Sequence, residues 1–389
     1  MILAPCALLL SANAVQAQAI NPVTGLPQVE QSEPGIAVEQ GRDYPFFDLE
    51  LGTEIGLDSG LRSDDPANEI EDAFAEAALA ITLGLTPIFS VNIGLTLERT
   101  TDAAGGGDVY FENIGLYADT LNLQADIGAF TFYGGKFGPS FGTAWDITLG
   151  VYGTDFAEDY ELSEQLGFGA AYTLETITAG NYTLGANIFA IDTTFLSESV
   201  FDNRGHTRLA DGGAGNTEKL NNVSITLDAG DFPDVEGLSF NLGYRHLAKG
   251  VDSISDENGY VFGVAYEMEH DGTAYAVTGE VAHFDGLGGT STNATYFTAG
   301  MFVQHGAWHA ELSGGLRNSD NVADEDDPTI FTDIDDRFIQ VSAGYEFENG
   351  LDLSAGLKFS EEENTSTTTA GIRLTKAFTY SSDGLGFEE

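Results

Sequence analysis

Three observations predict an all-β chain, a closed antiparallel transmembrane β-barrel of about 16 strands. Apolar and polar residues take turns over segments of about ten residues. The connections between these segments alternate short and long. No stretch beyond the N-terminus is apolar for the 18 or so residues that a membrane-crossing helix needs.

The alternation is plainest over 344–360. Leu351, Leu353, Ala355, Leu357 and Phe359 are apolar, and Asp352, Ser354, Gly356, Lys358 and Ser360 between them are polar or lack a side chain. The preceding run does the same with Ile339, Val341, Ala343, Tyr345 and Phe347, and Glu348-Asn349-Gly350 supplies the turn. In a soluble sandwich two such strands would press their apolar faces together and commonly stop after five or six residues. These run to about ten, enough when tilted by roughly 45° to cover the ~25 Å apolar band of a membrane barrel, with the greasy face on lipid and the wet face on a lumen.

Composition agrees. The 389 residues include 48 Gly, 15 Tyr and 26 Phe, and mean hydropathy is −0.08, as strands with one apolar and one polar face produce. Lys and Arg number 14 against 62 Asp and Glu, a net charge of −48; this excludes nucleic acid as a partner, because one polyanion repels another. Residues 1–19 carry an apolar run from Ile2 to Leu10 and then small residues at Ala14, Ala17 and Ala19. They read as a secretory signal peptide cut after Ala19, although no Lys or Arg opens it. Cys6, the single cysteine, leaves with it; Leu3-Ala4-Pro5-Cys6 is a poor lipid-anchor motif because Pro5 stands where a small residue is wanted. Without a thiol the mature chain has neither a disulfide nor a Cys metal site. Residues 20–44, rich in Pro, Gln, Gly and Glu, read as a periplasmic lead-in.

The barrel is expected over 45–378. Its first strand has Phe47, Leu49, Leu51, Ile55 and Leu57 facing out and Asp48, Glu50, Gly52 and Glu54 facing in. Fifteen more follow at 70–85, 88–99, 112–126, 129–137, 165–177, 181–192, 219–229, 237–247, 259–269, 273–284, 294–304, 307–317, 335–347, 351–360 and 368–378. An even number brings both ends to one side of the membrane. Short connections at 86–87, 127–128, 178–180, 230–236, 270–272, 305–306 and 348–350 read as periplasmic turns, and the longer ones between them as external loops. Phe47, Tyr172, Tyr182, Tyr345, Phe347 and Phe378 then fall near the periplasmic rim, with Tyr260, Phe297 and Phe359 near the external one, where amphipathic rings form girdles. The fourth strand is the weakest: Asp119 lands on its nominal lipid face, so a bulge or an error of register is expected there.

The longest expected connection, 138–164, is the third external loop. It opens with Gly135-Lys136-Phe137-Gly138-Pro139-Ser140-Phe141-Gly142. With the strand rhythm, this stretch resembles the Gram-negative outer-membrane porins of the sixteen-stranded general-diffusion type, and locally the GKFxPxFG segment of phosphate-selective porins. The resemblance implies a third loop folded into the lumen as a constriction, a homotrimer, and a water-filled channel for passive diffusion of small hydrophilic solutes and ions. Phosphate is set aside, since so few bases are available. On the loop stand Asp146, Asp155, Glu158, Asp159 and Glu161. Across the lumen the inward-facing bases are Arg245, Arg317, Lys358 and Arg373, either setting up a transverse field against the loop or merely neutralising neighbours such as Glu311 and Asp352. Inward acids, namely Asp48, Glu50, Glu54, Glu76, Glu98, Asp228, Glu267, Glu280, Glu311, Glu346 and Asp352, outnumber inward bases, which favours cations.

Other clusters carry less. Asp324-Glu325-Asp326-Asp327 with Asp333, Asp335 and Asp336 forms an acid-dense external loop. It could hold Ca²⁺ or Mg²⁺ bridging to lipopolysaccharide, or be merely solvated charge. No organic cofactor and no metal site is expected within the barrel. His305 and His309 are about 13 Å apart along a strand, too far to share a metal. His246, His283 and the serines lack a nucleophile motif, so no enzyme is expected. The last strand, 369–378, resembles the C-terminal insertion signal of outer-membrane proteins, implying the barrel-assembly machinery as a partner and an outer-membrane location, but a tail, 379–389, follows it. The alternative is a non-conducting barrel that serves as an adhesin or structural protein.

Overall fold

The computed structural model describes residues 42–101, 107–202, 204–323 and 330–382. Sixteen antiparallel strands close on themselves. In chain order they are β1 Phe46–Ser63, β2 Glu71–Gly84, β3 Phe89–Arg99, β4 Ile114–Ile127, β5 Phe130–Phe137, β6 Gln165–Thr176, β7 Gly180–Ile191, β8 Asn222–Gly230, β9 Leu238–Leu247, β10 Glu257–His270, β11 Thr273–Asp285, β12 Asn293–His305, β13 Trp308–Ala323, β14 Phe331–Glu346, β15 Leu351–Glu362 and β16 Thr365–Ser382. Each pairs with the next. The last pairs with the first, from Phe47 opposite Ser382 to Ser63 opposite Thr367, so no strand edge is left unbonded. Two short pieces, Val109–Tyr110 and Val200–Phe201, add bridges at the external end.

Burial runs opposite to that of a soluble protein. On β1, Asp48, Glu50 and Glu54 are buried while Ile55, Leu57 and Leu61 are exposed; on β8, Asn222, Ser224 and Thr226 are buried while Ile225 and Leu227 are exposed. An exposed apolar band around a closed barrel is stable only against hydrocarbon, and the polar side chains it leaves inside need water or one another. A sandwich with its apolar faces pressed together is therefore excluded. Rings gather at the turn end, where Phe130 lies 4.9 Å from Tyr172, Trp308 4.9 Å from Tyr345, and Phe47 6.3 Å from Tyr380 across the seam.

Asp119 sits where the β3–β4 register slips between Gly94 and Leu95. This bulge turns its carboxylate away from lipid to accept from Thr96 Oγ1 at 2.5 Å. Other boundaries differ from the sequence reading. The connection before β16 is not a long loop but a two-residue turn at Glu363-Asn364, both with positive φ. The Ser and Thr run that follows extends the strand without any apolar residue to mark it. β16 also runs on to Ser382, four residues past the expected end, so only 383–389 of the tail lies outside the described residues. The longest connection is 192–221, not 138–164. The signal peptide, the lead-in up to residue 41, and Asp324-Glu325-Asp326-Asp327 also lie outside them.

Candidate functional site: the third loop and the barrel wall

β5 delivers the chain into 138–164 through the Gly135-to-Gly142 segment. Gly135 has φ 137°, and a Cβ there would stand 2.3 Å from the Leu121 carbonyl oxygen, so only glycine fits this crossing. Lys136 is fully buried, bonded at 2.8 Å to Glu164 and 2.9 Å to Asp192, and it donates to the Leu196 carbonyl. Glu164 also receives Arg204, whose guanidinium lies 4.1 Å over the Tyr117 ring. Lys136 thus ties both ends of the third loop to the fourth.

The loop itself holds one helical turn, Ala144–Ile147, and one 3-10 turn, Glu158–Tyr160. Phe141, Ala144, Phe156, Ala157, Tyr160 and Leu162 bury themselves against Phe189, Val261, Phe284, Tyr296 and Phe338. These wall residues share strand parity with the buried polar side chains, so the loop's contacts fall on the barrel's inner face. Parity alone marks the inward aromatics Phe284, Tyr296 and Phe338, a signal the sequence reading passed over.

Glu280 is the central anchor. Its carboxylate accepts from Thr143 N at 2.7 Å, Thr143 Oγ1 at 3.2 Å, Ala144 N at 3.2 Å and Tyr160 Oη at 2.6 Å, holding the outgoing and returning arms at once. Gly142, at φ 73°, lies against the same carboxylate.

All four wall bases reach the loop. Arg245 donates to the Tyr160 carbonyl at 2.6 Å and pairs with Glu257 at 2.7 Å. Arg317 binds Asp159 and Asp336, each at 2.7 Å. Lys358 binds Asp155 at 2.8 Å. Arg373 binds Glu54 at 3.0 Å and Asp58 at 2.7 Å, and Asp58 in turn accepts from Tyr152 Oη at 2.6 Å. Of the two readings of these bases, Asp155 and Asp159 bear on the second, since they touch their bases and a contact pair cancels most of its own far field. Glu257, Asp58 and Asp336 were missed as partners. Asp336, counted with the external acids though inside the expected strand 335–347, lies on β14, where Asp335 also accepts from Asn318.

The adjoining wall, β1 to β4, is acidic. Glu54 faces Glu76 in direct cross-strand register, an arrangement of like charges that costs stability. Glu98 accepts from Tyr117 Oη at 2.7 Å. The Glu76 carboxylate has no hydrogen-bond or ion-pair partner among the described residues, and neither has that of Glu161 on the loop. Burial, with Glu158, Asp146, Glu98 and Asp119 nearby, pushes the Glu161 carboxyl up to about 8; burial pushes Asp146 up to about 7 and raises Glu158.

Elsewhere on the inner face, Asp48 is clamped by Arg42 at 2.7 Å, and Glu50 is 3 % exposed with neither oxygen partnered. Asp228 accepts from Asn241 at 2.5 Å. His309 bridges Glu311 and Asp352, at 2.8 Å from the latter, while Ser342 donates to Glu311 and Ser354 to Asp352. Glu346 is exposed and accepts from Gln304 at 3.4 Å. Among the described residues no three His, Cys, Asp or Glu stand close enough to hold a metal ion.

A closed barrel with an apolar belt, polar inner wall and a loop packed against that wall defines a class: the chain has the barrel fold of the outer-membrane porins. It resembles OprB of Pseudomonas putida (13% identity, TM-score 0.53, over 86% of this chain and 94% of that one). It also resembles the outer membrane channel DcaP of Acinetobacter baumannii (10% identity, TM-score 0.50, over 86% and 96%) and the trimer form of OmpT, an outer membrane protein of Vibrio cholerae (10% identity, TM-score 0.50, over 85% and 99%). At such identities the likeness is one of fold. No family model matches the chain, and no curated protein matches it in sequence.

Proposed function

We propose that this chain is a porin of the bacterial outer membrane, a water-filled channel through which small hydrophilic solutes and ions diffuse, with a preference for cations. Loop 138–164 narrows the lumen. Transport is passive: selection comes from width and lining charge, and no bond is made or broken. A homotrimer is part of the reading, in keeping with the trimer form of OmpT, and lipid and lipopolysaccharide surround the assembly.

One observation carries the cation preference. Beside the loop, every wall base is already taken by a carboxylate, whereas Glu76 and Glu161 keep unpaired ones. A cation meets free acceptors there, whereas an anion meets bases that already hold acids, and low-dielectric walls strengthen the bias. Purified protein in planar bilayers under a salt gradient tests this: stepwise openings with a reversal potential of cation sign are expected, and anion sign or a silent barrel refutes the reading.

A further inference from the structure

We propose that Lys136 and Asp192 condense into an isopeptide bond, a covalent tie from the start of the third loop to the start of the fourth, with Glu164 as the proton carrier. Such a tie would stand whatever solute crosses the barrel.

Burial and closeness lead to it. The side chains of Lys136 and Asp192 are both 0 % exposed, with Nζ 2.9 Å from Oδ2. Oδ2 is buried and accepts no hydrogen bond, so the ammonium approaches it off the hydrogen-bonding angle. Nζ instead donates to Glu164 Oε2 and to the Leu196 carbonyl, each at 2.8 Å. The other Asp192 oxygen, Oδ1, accepts from Thr194 N at 2.8 Å and from Thr194 Oγ1 at 2.7 Å. Two donors on one carboxyl oxygen take up the charge that develops when the carbon beside it is attacked. A single 3-10 turn, Phe195–Ser197, sets both partners, because Thr194 caps it and Leu196 lies within it. Burying two ions costs desolvation that an amide does not. Holding them in contact removes most of the entropy that joining them would otherwise cost.

The atoms balance without a co-reactant. One proton of Lys136 passes by way of Glu164 to Asp192 Oδ2, leaving a free amine beside a carboxylic acid. Nζ then attacks Cγ, Thr194 holds the charge that develops on Oδ1, and a second proton follows the same route, so that Oδ2 leaves as water. A C–N bond forms and a C–O bond breaks, with nothing oxidised or reduced. Glu164, its side chain 18 % exposed, gives the water a way out. Afterwards Glu164 and Arg204 remain as an ion pair, so no charge is orphaned.

Trypsin reads the bond, because from 100 to 204 it can cut only after Lys136 and Arg204. When the folded full chain is denatured and digested, 100–204 is expected as one looped peptide, lighter than its sequence by a water, about 18 Da by mass spectrometry. Separate peptides 100–136 and 137–204 at their unmodified masses overturn the proposal. That digest needs no variant to fold. In full chain refolded from denaturant into detergent, Glu164→Gln is expected to slow the appearance of the looped peptide on the order of a hundredfold, the loss of one proton carrier. An unchanged rate in this variant overturns the role given to Glu164.

Discussion

The two walls beside the third loop use their ionisable groups in opposite ways. On β9 to β16, Arg245, Arg317, Lys358 and Arg373 are spent on acids and on the loop, at 2.6 to 3.0 Å. On β1 to β4, the Glu76 carboxylate has no partner among the described residues, and Glu50 sits buried with both oxygens unpartnered. The first wall fastens the loop, and the second leaves carboxylates without a base. The position of a charged side chain on the inner face therefore does not tell its role; what it touches does.

Glu280 tests the fastening wall most severely. Glu280→Ala strips the acceptor from four donors on both arms of the loop, at about 1–3 kcal/mol for each buried donor left unsatisfied. Larger and noisier openings are expected in single-channel traces; unaltered conductance would mean that the loop does not narrow the lumen. Next comes the acidic wall. The double variant Glu76→Gln with Glu161→Gln removes two unpaired carboxylates, and at pH 9, where Glu161 is ionised, the cation-to-anion permeability ratio from reversal potentials should fall severalfold, of order kT per lost charge.

Acidity reaches the same comparison without mutation. Glu161 and Asp146 have carboxyls raised to about 8 and about 7, so both are largely neutral at pH 6 and ionised at pH 9. Cation preference should strengthen as pH rises between those limits and weaken as it falls; a flat profile would show that these loop carboxyls do not face the permeating ion. The smallest effect belongs to the partly exposed Asp155–Lys358 pair. A double-mutant cycle with Asp155→Asn and Lys358→Met should return a coupling of about 1 kcal/mol or less, read from thermal unfolding in detergent.

Much of this was legible in the chain. Strand alternation is a local signal, because lipid on one face and water on the other force period two, and Leu351 to Phe359 display it without help from any distant residue. Asp119 shows the same logic in reverse: a charge on the lipid face meant a bulge or an error of register, and the β3–β4 register slips there. The turn at Glu363-Asn364 was hidden because Ser366, Thr367 and Thr368 give no apolar beat. The loop's fastenings were hidden for a different reason. Lys358 meets Asp155 across 203 positions of sequence, and nothing near either residue says whether its charge is free.

The sequence by itself determined the strands, their inward and outward faces and the excess of acid, since each follows from what one residue and its immediate neighbours ask of the solvent. Only the closed tertiary structure decided which charges cancel. Ion pairs form over a few ångströms in space, and barrel closure brings β1 against β16 and lays one loop against strands far along the chain.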